Sequence, residues 1–132
     1  PASRQAAQCG RERLGLALSS ARLRSDIWVA AYLRRVAAEG AYAVLRRRGA
    51  AEAGAIYVLL DRLDGQAALF APGPTDDARY GERRWFRAHA SDWVEPSIAE
   101  ARLARELRND PDLWVVEVES RDGRHWLDLI PS

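Results

Sequence analysis

The chain has 132 residues, 48% of them apolar, with 20 basic and 19 acidic residues and a formal net charge of +1. That length suits one domain with a core of its own, and that apolar content excludes an intrinsically disordered chain. The near-neutral charge excludes a global field that draws in nucleic acid, and no apolar run approaches the roughly 20 residues that a membrane-spanning helix needs.

Every basic residue is arginine, a pattern that with the abundant alanine reads as high-GC codon usage before it reads as chemistry. There is one cysteine, Cys9, and there are two histidines, His89 and His125. An internal disulfide is therefore impossible, and a Cys/His zinc site lacks ligands. Nothing calls for an oxidising compartment, so the cytoplasm is the expected location.

Residues 1–20 lack Trp, Tyr, Val, Ile and Phe and read as an N-terminal tail or arm. Leu14, Leu16 and Leu18 are spaced for an extended strand, which suggests an arm laid on a sheet edge or a neighbouring chain, the alternative being packing in a crystal or a short helix leading into Ser25. "SDIWVAAYLRRVAAEG" is the first helix. Ser25 is expected to cap it and Gly40 to stop it. Val29, Leu33, Val36 and Ala37 share one face, with Trp28, Tyr32 and Arg35 along its border. Three strands follow, "AYAVLRRRG", "AIYVLLDRL" and "QAALFAP". Asp64-Gly65 between the last two is a hairpin signal, and together the three read as a meander. "PGPTDDARYGE" is a loop, and "RRWFRAH" a short fourth strand. "EPSIAEARLARELRNDP" is a second helix with Ala99, Leu103 and Leu107 as its stripe. "LWVVEVES" and "RHWLDLI" flank Asp122-Gly123 and read as a closing hairpin. A two-residue turn there pairs Val118 with Leu127 and Val116 with Leu129, giving one apolar face.

"RLRSDIWVAAYLRR", "AGAIYVLLDRLDG" and "DPDLWVVEVESRDGRH" resemble a small uncharacterised family of alphaproteobacterial proteins, a domain of unknown function. The resemblance covers about residues 22–128. It implies a single-domain size and no activity, cofactor or catalytic residue, so the chemistry rests on the residues.

The hairpin register sets Glu117 opposite Asp128, with His125 near the turn. Opposed carboxylates repel and one pKa rises, and a separation of about 5 Å is that of a retaining glycosidase. These three are the catalytic candidates, set against the plainer reading of a solvated hairpin face. Asp61, Asp64, Asp76 and Asp77 sit at turns, where Asp serves the backbone, and no calcium-loop spacing occurs; no metal and no cofactor are expected. Phosphate-loop and nucleophile-elbow motifs are absent. The binding candidates are Trp28, Tyr32 and Arg35 on the first helix, and Arg84, Trp85 and Arg87 on the fourth strand. Arginine interleaved with aromatics can stack on exposed bases. The basic clusters at 46–48 and at Arg102, Arg105 and Arg108 have acids close by and read as solvated faces.

The expected fold is α+β: residues 21–132 form one domain, an antiparallel sheet of meander plus C-terminal hairpin, with two helices packed on one face. The leading function is a small non-enzymatic binding or interaction module that self-associates, motivated by missing catalytic motifs and by 5 tryptophans in so short a chain. An RNA- or single-strand-binding accessory protein comes second, and a small hydrolase using the hairpin acids third. The expected partner is a protein or a second copy, and no membrane.

Overall fold

The computed structural model describes residues 23–74 and 83–131. The expected tail or arm, residues 1–20, lies outside the described residues, as do Asp76 and Asp77. The chain divides into two compact units. One comprises 1–23 and 74–83, in which the Arg83 guanidinium donates to the Leu23 carbonyl at 2.7 Å. The other, Arg24–Gly73 with Arg84–Ser132, holds every element described below.

Helix α1 spans Ser25–Ala38, strands β1 Tyr42–Arg47, β2 Ile56–Asp61, β3 Ala67–Pro72 and β4 Trp85–Arg87, helix α2 Pro96–Asn109, and strand β5 Trp114–Glu119. The sheet runs β1-β5-β2-β3-β4. β5 lies antiparallel to β1 and parallel to β2, and the remaining pairs are antiparallel. The α+β class holds, with a mixed sheet in place of an antiparallel one.

The sequence explains why β2, β3 and β5 are central. "IYVLL", "AALFA" and "WVV" are continuous apolar runs, the signature of strands covered on both faces. Ile56, Val58, Leu60, Ala68, Phe70, Val116 and Val118 pack on one face with Val29, Tyr32 and Val36 of α1. Tyr57, Leu59, Leu69, Ala71 and Val115 pack on the other with Ala99 and Leu103 of α2. The two helices therefore lie on opposite faces, a correction to the expectation of one. A helix on each side is what a strand without a polar face requires.

The closing hairpin does not form. Both edges of β5 are taken by β1 and β2, which leaves no edge for residues 124–130. Val118 pairs with Ala43 and Leu60, and Val116 with Leu45 and Val58, rather than with Leu127 and Leu129. Asp122-Gly123 still turns the chain. The Ser120 hydroxyl donates to Asp122 at 2.7 Å and accepts the Arg124 N–H at 3.0 Å. The chain then crosses to β4, where the Asp128 carbonyl accepts the Trp85 N–H at 3.0 Å and the Ile130 N–H donates to the Trp85 carbonyl at 2.8 Å. The meander is reduced to β2-β3-β4. Its first turn spans five residues, because Asp61 pairs with Ala67 and Leu63 and Gly65 both take positive φ, 66° and 86°.

Ser25 does not cap α1. It is the first helical residue, is fully buried, and its hydroxyl donates to the Gly54 carbonyl at 2.6 Å. The hydroxyl thus ties the helix to the turn before β2. A Cβ at Gly54 would sit 2.6 Å from the Asp112 carbonyl, so that turn packs backbone to backbone against the entry of β5. α2 is fastened by Arg102, which donates to Glu106 at 2.9 Å and to the Ala88 carbonyl at 2.6 Å. Tyr57 donates to the same carboxylate at 3.1 Å.

Candidate functional site

Trp28, Tyr32, Trp85, Arg87 and His125 meet on the α1 side of the sheet. Trp28 stacks on Tyr32, ring centroids 4.9 Å apart, and meets Trp85 at 4.7 Å. Trp85 is 2% exposed and its indole N–H donates to the Ile56 carbonyl at 3.0 Å. It is a core residue, closed to an incoming base. Arg87 lies over Phe70 and over Trp93, 5.1 Å from each centroid. Arg84 comes within 3.7 Å of Asp128. The aromatic ladder is thus internal packing, and its Arg neighbours lie on it as stems and lids.

On this ladder rests the irregular segment 124–128. The Tyr32 hydroxyl, almost fully buried, donates to the His125 carbonyl at 2.6 Å. The His125 ring packs 5.1 Å from Phe70, and its Nδ1 accepts the Leu127 N–H at 3.0 Å. An accepting Nδ1 fixes the neutral tautomer with hydrogen on Nε2. Burial first, and the nearby Arg87 charge second, hold its pKa below the usual 6.5. In this arrangement His125 is a hydrogen-bond donor at Nε2. Its one ring lone pair accepts the Leu127 N–H.

A cleft of about 420 Å³ opens beside the segment, lined by Arg35, Gly123, Arg124, His125, Trp126, Leu127 and Asp128. The Arg124 guanidinium lies 4.8 Å over the Trp126 ring and pairs with Glu39 at 3.0 Å. Trp126 has φ 56°, a left-handed conformation that side chains with a Cβ avoid, and its buried indole N–H has no partner among the described residues. Strain and an unsatisfied donor each cost about 1–3 kcal/mol, and such costs gather at functional sites. The sequence placed Arg35, His125 and Asp128 on the list of candidates. Arg124, Trp126 and Leu127 it did not, because the hairpin reading spent them on a strand.

The acidic pair does not assemble. Glu117 sits on the α2 side of β5, opposite Val44 and Leu59, while the His125 ring packs on Phe70 on the α1 side. The Glu117 carboxylate lies 3.6 Å from Arg46, which also reaches Glu100 at 2.9 Å. Burial raises its pKa, with Glu100, Asp61 and Glu119 adding to the effect and Arg46 opposing it. Asp61 and Asp64 accept the N–H groups of Leu63 and Gln66 at 2.8 and 3.1 Å, the turn role expected of them. No group of three or more His, Cys, Asp or Glu side chains converges to hold a metal among the described residues. No helix among them is long and apolar enough to cross a membrane.

A protein family described as "Protein of unknown function (DUF1491)" matches residues 23–128. The chain belongs to the DUF1491 family. A crystal structure of a DUF1491 protein from Caulobacter crescentus is 39% identical, covers 83% of this chain and 98% of its own, and superposes with a TM-score of 0.69. An NMR structure of a family protein from the same species is 43% identical, covers 83% and 97%, and gives 0.70. A solution structure of a protein from A. tumefaciens is 39% identical, covers 84% and 97%, and gives 0.71. No curated protein matches. The family carries no named function, so the function of the chain stands as unknown.

The DUF1491 fold leaves one further surface open. On its own face of the sheet α2 packs with β2, β3 and Val115 of β5, and among the described residues Tyr42 and Val44 of β1 stay exposed beyond it. Tyr42 is 57% exposed and Val44 37%. Both alternate with Ala43 and Leu45, which pack toward α1. The outer edge of β1 pairs with no described strand, whereas the β4 edge is covered by residues 128–130.

Proposed function

We propose that this DUF1491 chain is a non-catalytic interaction module, and that its partner is a second copy docked along β1. The observation that carries the reading is the pair Tyr42 and Val44, exposed apolar side chains on an open edge strand. Charge supports a self-complementary contact. At the start of β1, Glu119 stands beside Tyr42 with Asp61 beyond it; at its end come Arg47 and Arg48. Antiparallel pairing about Val44 brings each acidic end to the partner's basic end. The β-bulge between Leu45 and Arg47 confines regular pairing to the Tyr42–Leu45 stretch. An interface built this way is small and more polar than an obligate one. The module works in the cytoplasm, a reading supported by its single cysteine.

The tryptophans that motivated an interface from sequence lend it little. Trp85 and Trp114 are buried, and Trp93 and Trp126 lie under Arg62, Arg87 and Arg124. Sedimentation equilibrium of the wild type and of Val44→Asp tests the proposal. A dimer that the substitution converts to monomer, with the melting temperature unchanged, is the expected result. A wild type that stays monomeric at about 0.5 mM, or a variant that still dimerises, rejects it.

A further inference from the structure

A second surface carries its own argument, independent of β1. Three charged side chains line the cleft beside segment 124–128: Arg35, Arg124 and Asp128. Arg124 is paired with Glu39, and Asp128 has Arg84 within 3.7 Å. The Arg35 guanidinium makes no hydrogen bond or ion pair with any described residue. His125, held neutral by the Leu127 N–H on its Nδ1, keeps a donor at Nε2. Among the described residues the cleft therefore offers one guanidinium without an acidic partner, with a neutral donor beside it. Its other walls, Trp126 and Leu127, are apolar and pack against the core below.

We propose that this cleft binds a small organic monocarboxylate, whose carboxylate meets Arg35 and whose apolar body rests against Trp126 and Leu127. The charge count decides for a monoanion: one guanidinium is left over, and a dianion would leave a negative charge next to Asp128. The planar fork of arginine fits the two carboxylate oxygens. The apolar walls favour a carboxylate with a hydrocarbon body over a polyhydroxylated one. The segment that forms the cleft is held to α1 by the Tyr32–His125 hydrogen bond, and Arg35 stands three residues after Tyr32 on the same helix. Anchor and charge thus come from one rigid element.

Titration by NMR, read at the Trp126 indole N–H, tests the assignment with 3-phenylpropionate, its neutral amide and inorganic phosphate. The expected result is saturable binding of the carboxylate at about 1 mM or tighter, and at least about tenfold weaker binding of the amide. Arg35→Gln should reproduce the amide's loss. Arg34→Gln, the same charge change one residue away and outside the cleft lining, should leave binding intact. Equal losses in the two variants would reduce the effect to general electrostatics and overturn the site. So would an amide that binds as well as the acid, or no saturation by about 10 mM. Phosphate binding tighter than carboxylate would overturn the monoanion assignment.

Discussion

The two faces of the sheet are covered by different means. On the α2 face a regular helix lays Ala99 and Leu103 on Leu69, Ala71 and Val115, and side-chain bonds from Arg102, Tyr57 and Arg46 fasten its rim. On the α1 face a helix shares the cover with an irregular segment, and polar bonds fix the join: Tyr32 to the His125 carbonyl, His125 to the Leu127 N–H, and Trp85 to Asp128 and Ile130. Helical cover is self-satisfied in hydrogen bonds. Irregular cover must find partners for each backbone group, and it leaves crevices where it meets a helix. The candidate cleft lies at such a join, and the open strip lies where the helical cover stops short.

The comparison can be broken most forcefully on the helical face. Leu103 is 2% exposed, so Leu103→Ala should cost about 2–5 kcal/mol by denaturant melting. A surface-like loss would mean that α2 is not seated as described. On the irregular face Tyr32→Phe keeps the ring stack and removes one buried hydrogen bond, at about 1–2 kcal/mol. Its sharper signature is local. Amide exchange should quicken across 124–128 and stay unchanged in α2.

Acid should separate the faces further. His125 has a folded-state pKa below its ordinary 6.5, so the unfolded chain takes up a proton first as pH falls. Its contribution to stability is complete above about 6.5 and is lost as pH drops toward the depressed folded value. His125→Gln should remove this part of the pH dependence, and an unchanged profile would refute the placement of the ring. Glu117 has the opposite sign. Burial raises its pKa, so its charge works against the fold at neutral pH and the cost disappears on protonation. Glu117→Gln should leave stability at pH 7 unchanged or slightly higher. A marked loss would show that the contact with Arg46 outweighs the burial of the carboxylate.

Both helices and all five strands named here are legible in the sequence, because each is bounded by its own turn residues and carries its own period. Their arrangement is less so. Trp114, Val116 and Val118 alone suit one face of a hairpin, yet Leu113 and Val115 beside them are buried as well. A run apolar on both parities needs cover on two sides and neighbours on two edges. That signal places β5 in the middle of the sheet and excludes a closing hairpin. The cleft was half legible: Tyr32, Arg35 and His125 stood out as residue types, but they are distant in sequence, and only the crossing of segment 124–130 to β4 brings them together. The open strip was visible in "AYAVL", where both parities are apolar, but one strand cannot reveal how far a helix on its face extends.

The most direct test of a self-associating module is amide hydrogen exchange along β1 as a function of protein concentration. Pairing with a second copy should raise the protection of outward-facing amides within Tyr42–Leu45 as concentration rises, with α2 unaffected and with the gain abolished in Val44→Asp. Protection of β1 that is independent of concentration, at levels where the wild type should be dimeric, would contradict the account.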